Sequence, residues 1–386
     1  MVTLNFNDIP VIDNHCHPMD PKKAVLDPGL LAHEFYHGFG DIPKVGVRGR
    51  LWGATDELSR HFPYMGVVNT MVLQLSKVLE CAPTLEAVAT ERNSHTSKSF
   101  AAYARRLYQD AGIVGTVLDS PLPRDDPVLE LFPNKVLRLF HMNTAINTLL
   151  AQSESYRELL DGFQGALTRA VRVDGFVGVK GHLAEEVGFG VELDSVTRAS
   201  FSAAKAGDSI AFKGLYLEVF KETLLQCQEL GIPMHLHTGM TGGLWNGPLH
   251  SADPFLLMPL LRQPEFLRAK VVLLHGAHPW IQHASALAHA LPHVWVDMGW
   301  TTPWASLRLV ECYREVIGVM PLSKLMIGSG GHGTPEIAWL AAKTAKIALK
   351  EVLGDAVRLN LLDHARAEEI GRMILHDNAA RLYGLD

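Results

Sequence analysis

The sequence predicts a (β/α)₈ barrel. Short apolar runs alternate with longer stretches of helical periodicity, which is the pattern of a parallel sheet with crossover helices. There are eight such runs, the number of strands that a closed barrel needs. The predicted strands are Pro10–Asp13, Ile113–Leu118, Val136–Phe140, Phe176–Val179, Pro233–Leu236, Val271–Leu274, Val294–Val296 and Leu325–Ile327. The main crossover helices are predicted at Leu215–Leu230, Ile281–Ala290, Trp304–Ile317 and Glu336–Leu353.

Two long stretches interrupt this spacing. The first, residues 18–112, is interpreted as a helical insertion over the mouth of the barrel, where the loops that follow strands build active sites. The second, Leu183–Phe212, precedes the helix that leads into the fifth strand. No linker divides the chain, so we expect a single domain over residues 1–386. The insertion holds three predicted helices, at Val67–Leu79, Thr84–Arg92 and Ser97–Asp110.

Composition restricts the class of partner. The chain has 386 residues, 47% of them hydrophobic, and a formal net charge of −6, without a basic block. We therefore expect no nucleic acid and no acidic membrane surface as partner, and a small molecule as substrate. The four cysteines are scattered, with no C-x-x-C pair, and residues 1–10 lack the pattern of a signal peptide. These features predict a cytoplasmic protein.

A His-x-His pair follows the first predicted strand. Residues i and i+2 of a strand point to the same side, so the imidazoles of His15 and His17 can converge on one ion. Neutral imidazole binds zinc and similar divalent metals well. The alternative is a pair of solvated or hydrogen-bonded histidines, which this motif alone leaves open.

Further histidines stand at other strand ends. His235 and His237 form a second His-x-His at the fifth strand, His275 follows the sixth, and Lys180 follows the fourth. The carboxyl ends of barrel strands face one mouth, so these side chains can meet there. Independent core histidines are not expected at consecutive strand ends. The sequence therefore predicts a metal site, although a solvent-directed Lys180 and a satisfied core His235 remain open alternatives.

The arrangement resembles the amidohydrolase superfamily, in the branch that includes the amidohydrolase-like part of FluG and nodulin-type proteins. Beyond the strand-end histidines, four stretches across the chain carry the resemblance: Ser99–Ile113 (SFAAYARRLYQDAGI), Leu236–Gly239 (LHTG), Gly331–Glu336 (GHGTPE) and Glu368–Leu385 (EEIGRMILHDNAARLYGL). The resemblance implies a barrel with one or two divalent metal ions. Zinc is the expected metal, with Mn²⁺ or Fe²⁺ as alternatives.

The resemblance also implies roles for individual residues. His15, His17 and His237 would be metal ligands, and His275 either a ligand or an acid/base group beside the substrate. Lys180 would be carboxylated and bridge two metals, or would bind a substrate carboxylate. Candidate substrate-binding residues are His235, His332, Glu336 and Trp245.

The eighth strand departs from the family pattern. Members usually carry an aspartate in a run like Ser-x-Asp-Gly-His, whereas this chain has Gly330 at that position. The aspartate coordinates metal and accepts a proton from water in hydrolytic members. Three interpretations stay open: Asp297, His332 or Glu336 takes over this task, the chemistry differs or is absent, or the glycine marks an inactivated variant made to trap a ligand.

The implied function is metal-assisted hydrolysis of an amide-type C–N bond in a small polar substrate, with γ-glutamyl amides or related carboxylates as the suggested class. Non-oxidative decarboxylation is the alternative activity, and a degenerate barrel that binds a ligand without turnover is the alternative to an enzyme. Homo-oligomers are common among such barrels, although no segment of this sequence marks an interface.

Overall fold

Parallel strands wrap in chain order around a barrel axis in the computed structural model. It describes residues 4–35, 60–190, 201–240 and 249–385. The sheet has the order β10-β1-β2-β3-β4-β5-β6-β7-β9, and every adjacent pair is parallel. The strands are β1 Val11–Met19, β2 Ile113–Leu118, β3 Lys135–His141, β4 Gly178–Gly181, β5 Met234–Leu236, β6 Val271–Leu273, β7 Val294–Asp297, β8 Gly299–Trp300, β9 Leu325–Met326 and β10 Gly331–Gly333.

The segment from β9 to β10 closes the ring. β9 pairs with β7 on one side, and β10 pairs with β1 on the other. Between them, Ile327 accepts a hydrogen bond from the backbone N–H of Asn14 at 3.0 Å, and the N–H of Ser329 donates to His15 at 3.1 Å. This segment is the eighth strand of the predicted barrel, so the predicted fold class is confirmed.

Two predicted strands, β1 and β4, differ most from the structure, whereas β2 has the predicted bounds and each of the others differs by one residue at one or both ends. β1 continues to Met19 instead of ending at Asp13, because it pairs with β10 as far as Gly333. β4 begins at Gly178 instead of Phe176 and so includes Lys180. The reason is its register with both neighbours, in which Lys180 pairs with a histidine on either side: His141 of β3 and His235 of β5.

The helices fall near their predicted positions. They are α1 Pro28–Glu34, α2 Gly66–Leu79, α3 Leu85–Thr96, α4 Phe100–Ala111, α5 Met142–Gln152, α6 Tyr156–Arg172, α7 Leu183–Glu186, α8 Phe201–Lys205, α9 Ser209–Leu230, α10 Met258–Leu261, α11 Ile281–Ala290, α12 Thr301–Trp304, α13 Leu309–Ile317, α14 Pro335–Arg358, α15 His364–Arg372 and α16 Asn378–Tyr383. A π-helical turn, Met373–Asp377, joins the last two. In the part of the chain described here, no helix is long and apolar enough to cross a membrane.

Several helix boundaries differ from the prediction: α3 ends at Thr96 instead of Arg92, and α14 ends at Arg358 instead of Leu353. α9 begins at Ser209, because the carboxylate of Asp208 accepts hydrogen bonds from the first-turn N–H groups of Ile210 and Ala211. The helix predicted over Trp304–Ile317 begins only at Leu309, as α13, since Ser306, between it and α12, adopts a positive φ of 44°.

The insertion between β1 and β2 is tied to the end of the eighth strand. Arg92 of α3 and Glu336 of α14 form an ion pair in which Nε and Oε1 are 2.6 Å apart, with both side chains fully buried. Arg92 also donates to the backbone carbonyls of Lys23 and Ala24, just after β1. α4 packs against α14 on the barrel wall, where the indole N–H of Trp339 donates to the carboxylate of Asp110 at 2.7 Å.

The C-terminal residues pack among the strands of the barrel. Tyr383 and Leu385 contact two groups of buried side chains that the strands contribute. The first group contains Ile12, Val272, Leu274, Trp295 and Met326, and the second Val117, Leu137 and Leu139. The last helix therefore joins the apolar interior of the barrel as well as its surface.

Candidate metal centre

Three histidines from three strand ends converge at the barrel mouth. His15 lies in β1, and His237 and His275 follow β5 and β6. The ring centroids are 5.9 Å apart for His15 and His237, 5.0 Å for His15 and His275, and 4.7 Å for His237 and His275. One nitrogen of each ring lies within 4.8 Å of the others, which is close enough for one ion to bind all three.

Two further groups of ligand atoms overlap with the first. His15, His17 and Asp119 form one group, and Asp119, His182 and His237 form the other. Each group again has its ligand atoms within 4.8 Å of one another. Because the groups share members, the same pocket offers donors for one ion or for two adjacent ions.

The donor atoms fit a metal chemically. Both ring nitrogens of His15 and Nε2 of His237 and His275 are buried, and they have no hydrogen-bond partner among the described residues. An unpartnered buried polar atom costs about 1–3 kcal/mol, which a coordinated cation would offset. Burial, followed by the charge of Lys180, lowers the pKa of His275 to about 3 and holds the pKa values of His15 and His237 well below the usual range. The imidazoles are therefore neutral and able to coordinate.

Hydrogen bonds from outside the cluster orient two of the rings. Nδ1 of His237 lies 2.5 Å from Oε1 of Glu185, a residue of α7. Nδ1 of His275 lies 3.3 Å from the carbonyl oxygen of Gly299. A carbonyl oxygen only accepts, so the His275 proton lies on Nδ1 and Nε2 is left for the cluster. Partners of this kind fix the tautomer and orientation of metal-binding histidines.

Lys180 lies at the base of the site and contacts Asp119. Its ammonium group and the Asp119 carboxylate form a close, fully buried ion pair. Burial alone would raise the pKa of Asp119, but Lys180 and the neighbouring histidines lower it well below its ordinary value. The other carboxylate oxygen, Oδ1, is 3.6 Å from Nε2 of His141.

Three residues beside the cluster, His141, His182 and Glu185, are not among the site residues that the sequence predicts. His141 ends β3 and His182 follows β4, so the strand-end rule that selected the other histidines could have found both. The ring of His182 is 5.0 Å from His141 and 5.1 Å from His237, and its Nδ1 is 3.2 Å from Oδ1 of Asn143. No sequence signal marks Glu185, because its contact with His237 spans 52 residues.

Gly330 lies in a backbone conformation that suits glycine. Its φ is 63°, in the left-handed region that side chains disfavour. A Cβ added there would lie 2.9 Å from the backbone nitrogen of Trp300, so the backbone would have to move. The backbone N–H of Gly330 donates to the carbonyl of His15 at 2.6 Å. Neighbouring backbone atoms therefore occupy the space that a side chain at position 330 would need.

Asp297 is buried at the end of β7, outside the three groups of convergent ligand atoms. Its Oδ2 accepts from Nδ2 of Asn14 at 2.9 Å, and its Oδ1 accepts from the N–H of Gly299 at 2.7 Å. A Cβ at Gly299 would lie 2.6 Å from Oδ1, and one at Gly328 2.9 Å from Cγ, so two glycines make room for this carboxylate. Burial raises the pKa of Asp297 to about 7, against the opposing effect of its hydrogen bonds.

The remaining candidate residues lie at different distances from the cluster. His332 stacks on His17 with ring centroids 4.1 Å apart, so it borders the site. His235 is fully buried in β5, with Nε2 2.9 Å from the hydroxyl of Tyr383. Glu336 is engaged by Arg92 and lies outside the convergent groups. Trp245 lies outside the described residues.

The fold and the histidine cluster define a (β/α)₈ barrel with a candidate metal centre at its mouth. The chain belongs to the amidohydrolase family, since the family model described as amidohydrolase matches residues 161–385. Among relatives, protein fluG of Emericella nidulans is 32% identical over 155 residues. That match covers 40% of this chain and only 18% of fluG, so the aligned stretch is a small part of fluG.

Solved structures with the same fold include hydrolase-like and isomerase barrels. A protein of Lactobacillus casei, described as a metal-dependent hydrolase, superposes with a TM-score of 0.81 at 20% identity, covering 98% of this chain and 96% of that one. Uronate isomerase of Bacillus halodurans superposes with a TM-score of 0.68 at 14% identity, covering 98% of this chain and 94% of that one. Uronate isomerase of Thermotoga maritima superposes with a TM-score of 0.67 at 16% identity, covering 98% of this chain and 95% of that one. At these identities the likeness concerns the fold alone.

Proposed function

We propose that this protein is a metal-dependent hydrolase that cleaves an amide-type C–N bond in a small polar substrate. The observation that carries the proposal is the convergence of buried, neutral ring nitrogens of His15, His237 and His275. With His17 they would hold one or two divalent ions, zinc first, with Mn²⁺ or Fe²⁺ as alternatives. A bound ion supplies Lewis-acid polarisation of a substrate carbonyl and activation of water.

The protein's own residues prepare the site in two ways. Burial keeps the imidazoles unprotonated, and hydrogen bonds from Nδ1 of His237 and His275 leave their Nε2 atoms facing the cluster. Lys180 contacts Asp119, a member of two of the candidate ligand groups, and Asp119 compensates its charge. We keep both proposed roles for Lys180, a carboxylated bridge between metals and a contact for a substrate carboxylate.

We extend the proposal to carboxylate-bearing amides such as γ-glutamyl amides, the class that the resemblance to FluG-type proteins implies. His332 stacks on His17 and is the proposed substrate contact nearest to the cluster. His235, Glu336 and Trp245 remain further candidates from the sequence. The substrate would be a small molecule, and we propose a cytoplasmic location and, as in many such barrels, a homo-oligomer.

Decarboxylation is the second candidate function, and Gly330 favours it. Hydrolysis needs a group that accepts a proton from water, and the strand-8 position that carries a carboxylate in other family members has neither a side chain nor room for one. Loss of CO₂ from a metal-bound acid does not need that carboxylate to activate water. The packing around Gly330 also supports a natural departure from the family pattern over an inactivated variant.

Metal content and product analysis test the proposal together. The purified protein should contain zinc or another divalent metal by elemental analysis, and a His15→Ala/His17→Ala variant should lose most of it. The metal-loaded protein would then be assayed with γ-glutamyl amides for amine release and with aromatic and aliphatic acids for CO₂. Amine release supports the hydrolase, and CO₂ without amine supports the decarboxylase. Equal absence of metal in both proteins after reconstitution with zinc would refute the metal centre.

A further inference from the structure

The hydroxyl of Tyr383, two residues from the end of the described chain, lies between two buried polar side chains. It is 2.5 Å from Oδ1 of Asn14 and 2.9 Å from Nε2 of His235, and its ring stacks on His235 at 6.1 Å. Asn14 adjoins the candidate ligand His15 in β1 and is fully buried. A residue of the last helix therefore reaches the strands that carry the candidate metal centre.

The direction of these hydrogen bonds is fixed by the chemistry of the groups. Both oxygens of Asp297 accept, one from Nδ2 of Asn14 and one from the N–H of Gly299. Since the amide NH₂ of Asn14 faces Asp297, its Oδ1 faces Tyr383 and the hydroxyl must donate to it. The hydroxyl oxygen of Tyr383 can then accept from Nε2 of His235.

The same series of contacts continues to a candidate ligand. The carboxylate of Asp297 holds Gly299 by its N–H, and the carbonyl of Gly299 accepts the Nδ1 proton of His275 at 3.3 Å. Asp297 is thus linked, through Gly299, to the ring nitrogen that defines the tautomer of His275.

We propose that Tyr383 is a positioning residue for the metal ligand His275. It acts through a series of buried hydrogen bonds, here named the Tyr383 relay, that consists of Asn14, Asp297 and Gly299. Their burial matters because water cannot replace a lost hydrogen bond there without a cost. This inference rests on the proposed metal centre, and it assigns Asp297 a positioning role in place of direct proton transfer.

A Tyr383→Phe variant tests the relay, because it removes the hydroxyl and keeps the ring in its apolar surroundings. Zinc affinity of the metal-free protein would be measured by competition with a chromophoric chelator. We expect a loss of roughly tenfold, the lower end of what partners of metal ligands contribute. The matched control is Tyr108→Phe, in which a buried tyrosine of α4 loses its hydroxyl and keeps its ring. Its zinc affinity should equal that of the unmodified protein.

A double-mutant cycle separates the relay from general destabilisation. In an Asp297→Asn background the relay is already broken, so Tyr383→Phe should change zinc affinity by much less than tenfold. If Asp297→Asn does not fold, Asn14→Ala provides the alternative background. An equal loss in both backgrounds, or no loss in the unmodified background, would overturn the proposal.

The tautomer of His275 gives a readout that needs no metal. In ¹⁵N spectra of the metal-free, histidine-labelled protein, with His275→Gln for assignment, the His275 ring should be protonated on Nδ1. Tyr383→Phe and Asp297→Asn should both increase the population protonated on Nε2, while Tyr108→Phe should not. If the unmodified protein binds no zinc, the proposed metal centre fails. An unchanged His275 tautomer in both relay variants would refute the relay itself.

Discussion

Oε1 of Glu185 lies 2.5 Å from Nδ1 of His237, and this contact leaves Nε2 of His237 directed at the histidine cluster. The pair is nearly buried, with side-chain exposures of 11% for Glu185 and 15% for His237. A carboxylate behind a ligating histidine fixes its tautomer and increases its basicity. Glu185 comes from the short helix α7, so a loop element after β4 prepares a ligand that follows β5.

The role of Glu185 can be measured as metal affinity. Glu185→Ala should weaken zinc binding by about 10–100-fold, because His237 loses the acceptor that orients its ring. Glu185→Gln should retain part of the affinity, since its amide oxygen can still accept from Nδ1. The neighbouring Glu186, whose carboxylate accepts from Asn143, provides the control Glu186→Ala. Chelator competition that gives the same zinc affinity for Glu185→Ala and Glu186→Ala would show that the contact has no orienting role.

Breaking the Lys180–Asp119 pair should destabilise the protein. Asp119→Asn leaves a buried ammonium group without its counter-charge, and removal of one partner of such a pair typically costs about 3–5 kcal/mol. Lys180→Met should lower the free energy of unfolding by a similar amount, because it leaves the buried Asp119 carboxylate without its counter-charge. The double variant should lose less than the sum of the two, and urea unfolding of the metal-free proteins measures all three. Strict additivity would argue against the pair.

A side chain at Gly330 should be disfavoured by the backbone. Gly330→Ala places a Cβ at a φ of 63° and against Trp300, so we expect a destabilisation of about 1–2 kcal/mol or more. Gly330→Asp should cost less than this from conformation alone, because aspartate tolerates the left-handed region better. The control is Gly354→Ala within α14, where an added Cβ meets no atom within 4 Å and should stabilise by about 0.5–1 kcal/mol. Thermal and urea unfolding would report both changes, and an unaffected Gly330→Ala would contradict the strain.

Breaking the buried ion pair of Arg92 and Glu336 should destabilise the protein without loss of metal. Glu336→Gln should lower the free energy of unfolding by about 3–5 kcal/mol, because the Arg92 guanidinium would stay buried without its carboxylate. Zinc content per folded molecule should remain that of the unmodified protein. Elemental analysis beside urea unfolding separates these effects. A stable Glu336→Gln protein that has lost substrate affinity would instead support a substrate-binding role for Glu336.

The buried Lys346 predicts a pH dependence of the free energy of unfolding. Burial lowers its pKa to about 8 in the folded protein, from an ordinary value of 10.5. Between these values the unfolded chain binds more protons than the folded one, so stability contributed by this group should rise as pH increases from 8 to 10.5. The unmodified protein should therefore gain stability over this range relative to Lys346→Met. Parallel pH profiles of the two unfolding midpoints would exclude the shift.

The barrel could be predicted because its signals are local. Alternating apolar runs and helical stretches located all eight strand segments, and Ile113–Leu118 has the predicted bounds. The largest error in a strand occurs where distant chain decides the boundary. β1 continues through His15 and His17 because β10, more than 300 residues later, pairs with it. A local conformation decides another boundary: Ser306, with its positive φ, precedes α13, whereas periodicity alone predicts helix from Trp304 onward.

The candidate ligands could be predicted for the same reason. A His-x-His at a strand end is visible in the sequence, and the common orientation of barrel strands implies that such side chains meet. The residues that orient these ligands through hydrogen bonds could not be predicted. Glu185 lies in a helical turn that carries no motif, and Tyr383 contacts Asn14 across 369 residues of chain.

The sequence by itself determined the fold class, the mouth of the barrel as the place of the candidate site, and imidazole as its candidate ligand type. These follow from periodicity and from residue types at strand ends, which are properties of short segments. Only the tertiary structure decided which nitrogen of His237 and of His275 faces the cluster, and that Glu336 binds Arg92. Those outcomes depend on hydrogen bonds between groups far apart in the chain, whose partners become defined only when the barrel closes.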